Sequence, residues 1–237
     1  MWISFTFCFL LFVINFGLQG IKFDRSGITA GEAIATLGDQ HLAKLEDACK
    51  TIMASILNDK SRLARGMSAS TDSVSNGKGH TEVALLYTEV LQLQGRPQEA
   101  VVVLSKAIEE LNSDLSEAKR LRGSKKDASA SDASSVVSSK TTGQTLEFDY
   151  LKKMKALCHR RIGSLYKLTN RLKDAEEHIK RYISIVERGS SNDVVRREIS
   201  LAYSLLTSIY DAMGKSMEAQ AADKIAIELA ASMGRAE

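Results

Sequence analysis

The chain has 237 residues, of which 26% are charged, 44% hydrophobic and 6% aromatic, with a single proline. This balance fits one or two helical globular domains and excludes a disulfide scaffold, a collagen-like chain, a β-sandwich and a wholly disordered protein. The net charge of +3, from 32 basic and 29 acidic residues, is too small to imply a nucleic-acid ligand.

The first 21 residues, MWISFTFCFLLFVINFGLQGI, carry no charged side chain. As a helix they would reach about 32 Å, roughly one hydrocarbon core. Three readings stand. The first is a membrane anchor, with Lys22 and Arg25 keeping the helical regions on the cytoplasmic face. The second is a cleaved signal peptide, disfavoured by the missing basic n-region and the poor small-residue exit at Gly17-Leu18-Gln19-Gly20. The third is a mis-assigned gene start or a buried segment.

Residues 29–62 read as an N-terminal helical region, because Ile34, Leu37, Leu42, Leu45, Ile52, Met53, Ile56 and Leu57 recur mostly at three- and four-residue steps. Gly38 divides that region. Residues 63–80 include the Ser/Gly-rich run GMSASTDSVSNGKGH and read as a linker. A helix pair comes next, over 81–112. Its break at Gln94-Gly95-Arg96-Pro97 puts glycine just past one helix and proline in the first turn of the next.

Residues 113–145 read as a Ser-rich, basic, disordered insertion with too few large apolar groups to repay ordering. Lengthening a loop from about 4 to about 32 residues costs only about 2 kcal/mol in closure entropy, so a fold can carry it. The cluster Lys119, Arg120, Arg122, Lys125 and Lys126 inside it reads as solvated loop charge, with a nuclear-import patch or an anionic-membrane contact as the alternatives. Two more helix pairs are expected over 146–188 and 198–233, turning at Thr169-Asn170-Arg171 and Met213-Gly214-Lys215.

The three pairs align on their turns. Gly95, Asn170 and Gly214 each tolerate the left-handed backbone that a tight inter-helix turn needs. Five residues later stand Ala100, Ala175 and Ala219, and twelve later Ala107, Tyr182 and Ala226. Four residues before each turn stand Leu91, Tyr166 and Tyr210, and seven before it the small residues Thr88, Gly163 and Thr207. Small residues let helices approach, and large ones fill the groove beside them.

This pattern resembles the tetratricopeptide repeat (TPR), most closely in IGSLYKLTNRLKDAE and LLTSIYDAMGKSMEA. The 44 residues from Asn170 to Gly214 exceed the usual period and look like the longer-helix, kinesin-light-chain-like variants. Tyr182 in place of a small residue, Asp223 in place of a large apolar one and the absence of a closing proline depart from the pattern. The resemblance implies an all-α fold, a short right-handed superhelix of antiparallel helix pairs, with the disordered insertion between the first and second pair.

It also implies a groove lined by the first helix of each pair, which takes a partner's peptide or helix. Candidate groove residues are Glu89 and Gln92 in the first pair. In the second they are Arg160, Ser164 and Lys167, on one face by spacing, with Arg161 beside them. Ser204, Ser208 and Asp211 take those places in the third. Residues 81–117 carry a net −5, residues 118–145 +4, residues 146–188 +5 and residues 189–237 −2. A groove basic at its middle favours an acidic partner segment, and the same alternation favours correct stacking of an acidic pair on a basic one. Chaperone-binding members of the family clamp a C-terminal carboxylate with lysines and asparagines of the first helices. Those helices contain no asparagine here, which argues against that role.

Nothing points to catalysis, a cofactor or a metal. His41, His80, His159 and His178 are scattered, and no HExxH, GxSxG, P-loop or GxGxxG pattern occurs. Cys8, Cys49 and Cys158 form no CxxC pair, and an odd, unclustered count fits a reducing compartment. Cys158 and His159, adjacent on a helix, point in different directions. Asp174, Glu176 and Glu177 read as charges favouring a helix start. The expected function is therefore a non-enzymatic protein–protein scaffold. Its alternatives are a membrane-tethered assembly factor anchored by residues 1–21 and, last, an enzyme of unrecognised type.

Overall fold

A computed structural model describes residues 38–64, 76–128, 138–188 and 193–233, all of them in helices and the turns that join them. The leader 1–21, with Cys8, lies outside the described residues. Seven described helices succeed one another: α1 (Asp39–Ala64), α2 (Asn76–Leu93), α3 (Pro97–Ala128), α4 (Ser138–Leu168), α5 (Leu172–Glu187), α6 (Asp193–Ala212) and α7 (Ser216–Met233).

The chain divides into two compact units, residues 1–96 and 97–237. In the first, α1 packs on α2. In the second, α3 packs on α4, α4 on α5, α5 on α6 and α6 on α7. The second unit is therefore a row of neighbours in chain order, and its tight turns make α4–α5 and α6–α7 antiparallel pairs of TPR-like type. The pair expected over 81–112 is divided between the two units at its turn.

All three aligned turns close in the same way. Gly95, Asn170 and Gly214 have φ of 73°, 59° and 72°. Each donates its N–H to the carbonyl three residues back: Gly95 to Gln92, Asn170 to Lys167 and Gly214 to Asp211. The next N–H reaches five back, from Arg96 to Leu91, Arg171 to Tyr166 and Lys215 to Tyr210. This double closure satisfies carbonyls that a helix end leaves open, and it requires a left-handed residue at its centre.

Most of the aligned positions are buried, and Tyr166 and Thr207 are half-buried. Ala100, Ala175 and Ala219 face the interior, as do Ala107, Tyr182 and Ala226. Ala175, Ile179, Tyr182, Ile183, Ile199, Leu206, Ile209 and Tyr210 are part of one core of the second unit. Tyr182 is accommodated there, and Asp223 is exposed.

Four boundaries differ from those read in the sequence. Helix α3 continues to Ala128, into the stretch expected to be disordered. Its buried stripe Leu104, Ala107, Leu111 and Leu115 carries on past residue 112 at helical steps. Helix α4 begins at Ser138, so only residues 129–137 of the expected insertion lie outside the described residues. Asn76–His80 belong to α2 rather than to a linker, with His80 buried. Helix α6 starts at Asp193, whose carboxylate in the first turn meets Arg196 at 3.2 Å. At the N-terminal side, α1 begins just after Gly38, and residues 29–37 of the expected helical region lie outside the described residues.

Candidate functional site

The first helices of the second unit, α4 and α6, carry most of the candidate groove residues. Lys167 Nζ donates to Ser208 Oγ at 2.6 Å, joining the two helices through two of the expected positions. Arg160 is half-buried, with its guanidinium 6.0 Å from the centre of the Tyr182 ring. Arg161 is half-buried beside it. Ser164 Oγ donates to the Arg160 carbonyl of its own helix, and Ser204 Oγ does the same to the Ser200 carbonyl. Asp211 is exposed. Glu89 and Gln92 are half-buried on α2, in the first unit.

The strongest electrostatic features lie elsewhere, at the seams where one helix pair meets the next, and the sequence pattern gave no sign of them. Glu46, on α1, is buried. It accepts from Tyr87 Oη at 3.2 Å, from Gln94 Nε2 at 2.9 Å and from Arg96 Nη1 at 2.9 Å. Lys50, one turn along α1, pairs with it at 2.7 Å. Lys50, Gln94 and Arg96 hold its carboxyl down to about 2, against the opposing pull of burial.

Glu176, on α5, repeats the arrangement. It accepts from Tyr210 Oη at 3.2 Å and pairs with Lys215 at 3.0 Å and Lys180 at 2.6 Å. Burial raises its carboxyl, but Lys180 and Lys215 outweigh burial and leave it lowered. Glu176 is therefore a tie between α5 and the α6–α7 turn, not merely a charge at a helix start. The basic partner is in both cases the residue just after the left-handed turn residue.

His159 and His178 meet between α4 and α5, Nδ1 to Nδ1 at 3.1 Å. Burial, together with His178 and nearby cations, pushes His159 down to about 4. His178, edge-on to Tyr166, is also lowered by burial and Arg181. Burial pushes the Cys158 thiol up to about 12, and the Cys49 thiol, close to the Glu46 charge, to about 12 as well. Such thiols are not nucleophiles at neutral pH. Among the described residues no group of three or more His, Cys, Asp or Glu is placed to hold a metal ion, and no helix is long and apolar enough to cross a membrane.

No protein-family model matches the chain. No curated protein matches it either. Among solved structures the chain is similar to BtubC (BKLC) of P. vanneervenii, at 14% identity and a TM-score of 0.34, over 87% of this chain and 93% of that one.

Proposed function

We propose that this protein is a non-enzymatic scaffold that binds a peptide or helix of a partner protein along the first helices of its helix pairs, with an acidic segment preferred. The observation that carries the reading is the Lys167–Ser208 contact, which joins residues of α4 and α6 on the line expected to face a ligand. With Arg160 and Arg161 on the same stretch of α4, the line is basic, and basic side chains in a partly desolvated groove favour carboxylates.

The test is capture of partners by the full chain and by a double variant, Arg160→Glu with Lys167→Glu. The reading expects partners lost from the variant while its helical circular dichroism persists. Unchanged capture would refute it. A second reading adds a tether, supported by the uncharged run of residues 1–21. Carbonate extraction of the tagged full chain tests it, and release into the supernatant removes it.

A further inference from the structure

The second unit contains two seams of the same register, and only one of them is closed by a carboxylate. Counted from the turn residue, Glu176 and Lys180 stand six and ten positions after Asn170, and Tyr210 and Lys215 stand four before and one after Gly214. At the preceding seam those four places hold Val101, Ser105, Tyr166 and Arg171. The tyrosine and the cation are kept, whereas the carboxylate has become valine and its lysine partner serine.

A pocket of about 500 Å³ opens at that seam, and all four residues line it. The Arg171 guanidinium lies 4.4 Å from the centre of the Tyr166 ring and pairs with Asp174 of its own helix at 2.7 Å. Both members of that pair are well exposed, so the pair is weak and easily shared. Val102, 54% exposed, adds an apolar wall, and the exposed Lys106 and Glu109 contribute one charge of each sign.

We infer that this pocket is a docking site for an aspartate or glutamate side chain of a partner polypeptide, flanked by an apolar residue that rests on Val101 and Val102. The incoming carboxylate takes the place that Glu176 holds one seam further on, accepting from Tyr166 Oη and Arg171. The site is separate from the Arg160–Lys167 line and does not depend on it.

The test uses the full chain and two labelled peptides, acetyl-Gly-Leu-Glu-Leu-Gly-amide and the same peptide with Gln for Glu, monitored by backbone amide shifts in NMR. The glutamate peptide is expected to shift residues of α3 and the α4–α5 turn and to bind about tenfold more tightly than the glutamine peptide, since a charge-assisted hydrogen bond is lost in the latter. Arg171→Gln should reduce its affinity to that of the glutamine peptide. Val101→Glu should fill the pocket from within and abolish binding. Should Val101→Glu fail to fold, Arg171→Gln, at an exposed position, decides alone. Equal binding of the two peptides, no binding at millimolar concentration, or a glutamate peptide indifferent to Arg171→Gln overturns the inference. So does binding that is lost in the Arg160→Glu, Lys167→Glu variant but kept in Arg171→Gln, which would assign the peptide to the groove instead.

Discussion

Gly163 on α4 stands so close to Ile179 on α5 that a Cβ on the glycine would lie 2.6 Å from Ile179 Cδ1 and 2.7 Å from Cγ1. Ile179 is fully buried and the Ala175 carbonyl closes the other side at 3.3 Å, so the isoleucine has little room to give. Gly163→Ala gains about 1 kcal/mol of helix propensity but overpacks the seam by about 1–3 kcal/mol. A net loss of about 1 kcal/mol is expected in chemical denaturation, whereas Ala at an open helix position would have gained stability.

That contact was legible in outline. The seven-residue offset from the turn singled out Gly163 as small, and the offsets of five and twelve picked out side chains that are buried. Turn chemistry is local, so Gly95, Asn170 and Gly214 carry their own signal. The carboxylate ties were not legible, because Glu176 meets Lys215 from 39 positions away and Glu46 meets Arg96 from 50. Nothing in a single glutamate among many tells which one is drawn into a seam. The extensions of α3 and α4 were hidden for a different reason: serine and lysine dominate there, and composition outweighed the short stripe ending at Leu115. The candidate groove residues come from register alone, and register brings Lys167 to Ser208 without saying what binds them.

The turns at Asn170 and Gly214 should accept glycine but not alanine. Asn170 already occupies the left-handed region at φ 59°, which asparagine tolerates and alanine does not. Asn170→Ala and Gly214→Ala are each expected to cost about 1 kcal/mol, and Asn170→Gly to be neutral or slightly stabilising. Thermal unfolding of the three variants checks this, and an alanine variant as stable as the parent would contradict the shared turn geometry.

Removing Glu46 should loosen the first unit. Its carboxylate is buried and is the common acceptor for Tyr87, Gln94 and Arg96, so Glu46→Ala leaves polar groups without their acceptor and is expected to cost about 2 kcal/mol. Arg96→Ala should cost less, because the Arg96 side chain is 36% exposed and can be solvated. The sign with pH is set by the lowered carboxyl. The unfolded chain takes up this proton near 4.5 and the folded chain only near 2, so the stabilisation is complete above 4.5 and is lost as pH falls toward 2. Acid titration of the parent and of Glu46→Ala, monitored by circular dichroism, should show that part of the loss missing in the variant.

A second acid-sensitive element, at higher pH, is the His159–His178 contact. An unfolded histidine binds its proton near 6.5, whereas buried His159 resists until about 4. Between these values the unfolded chain holds more protons than the folded one, so stability rises with pH across the window and falls as pH drops from 6.5 to 4. The loss for this group is on the order of 3 kcal/mol. His178, lowered for the same reason of burial, adds to the slope in the same direction. His159→Phe keeps an aromatic ring of similar size against α5 and has no proton to take up. Its thermal midpoint at pH 7 should lie within a few degrees of the parent's, and its decline between pH 6.5 and 4 should be visibly shallower. Parallel declines for parent and variant would show that the histidine contact does not set this part of the acid response.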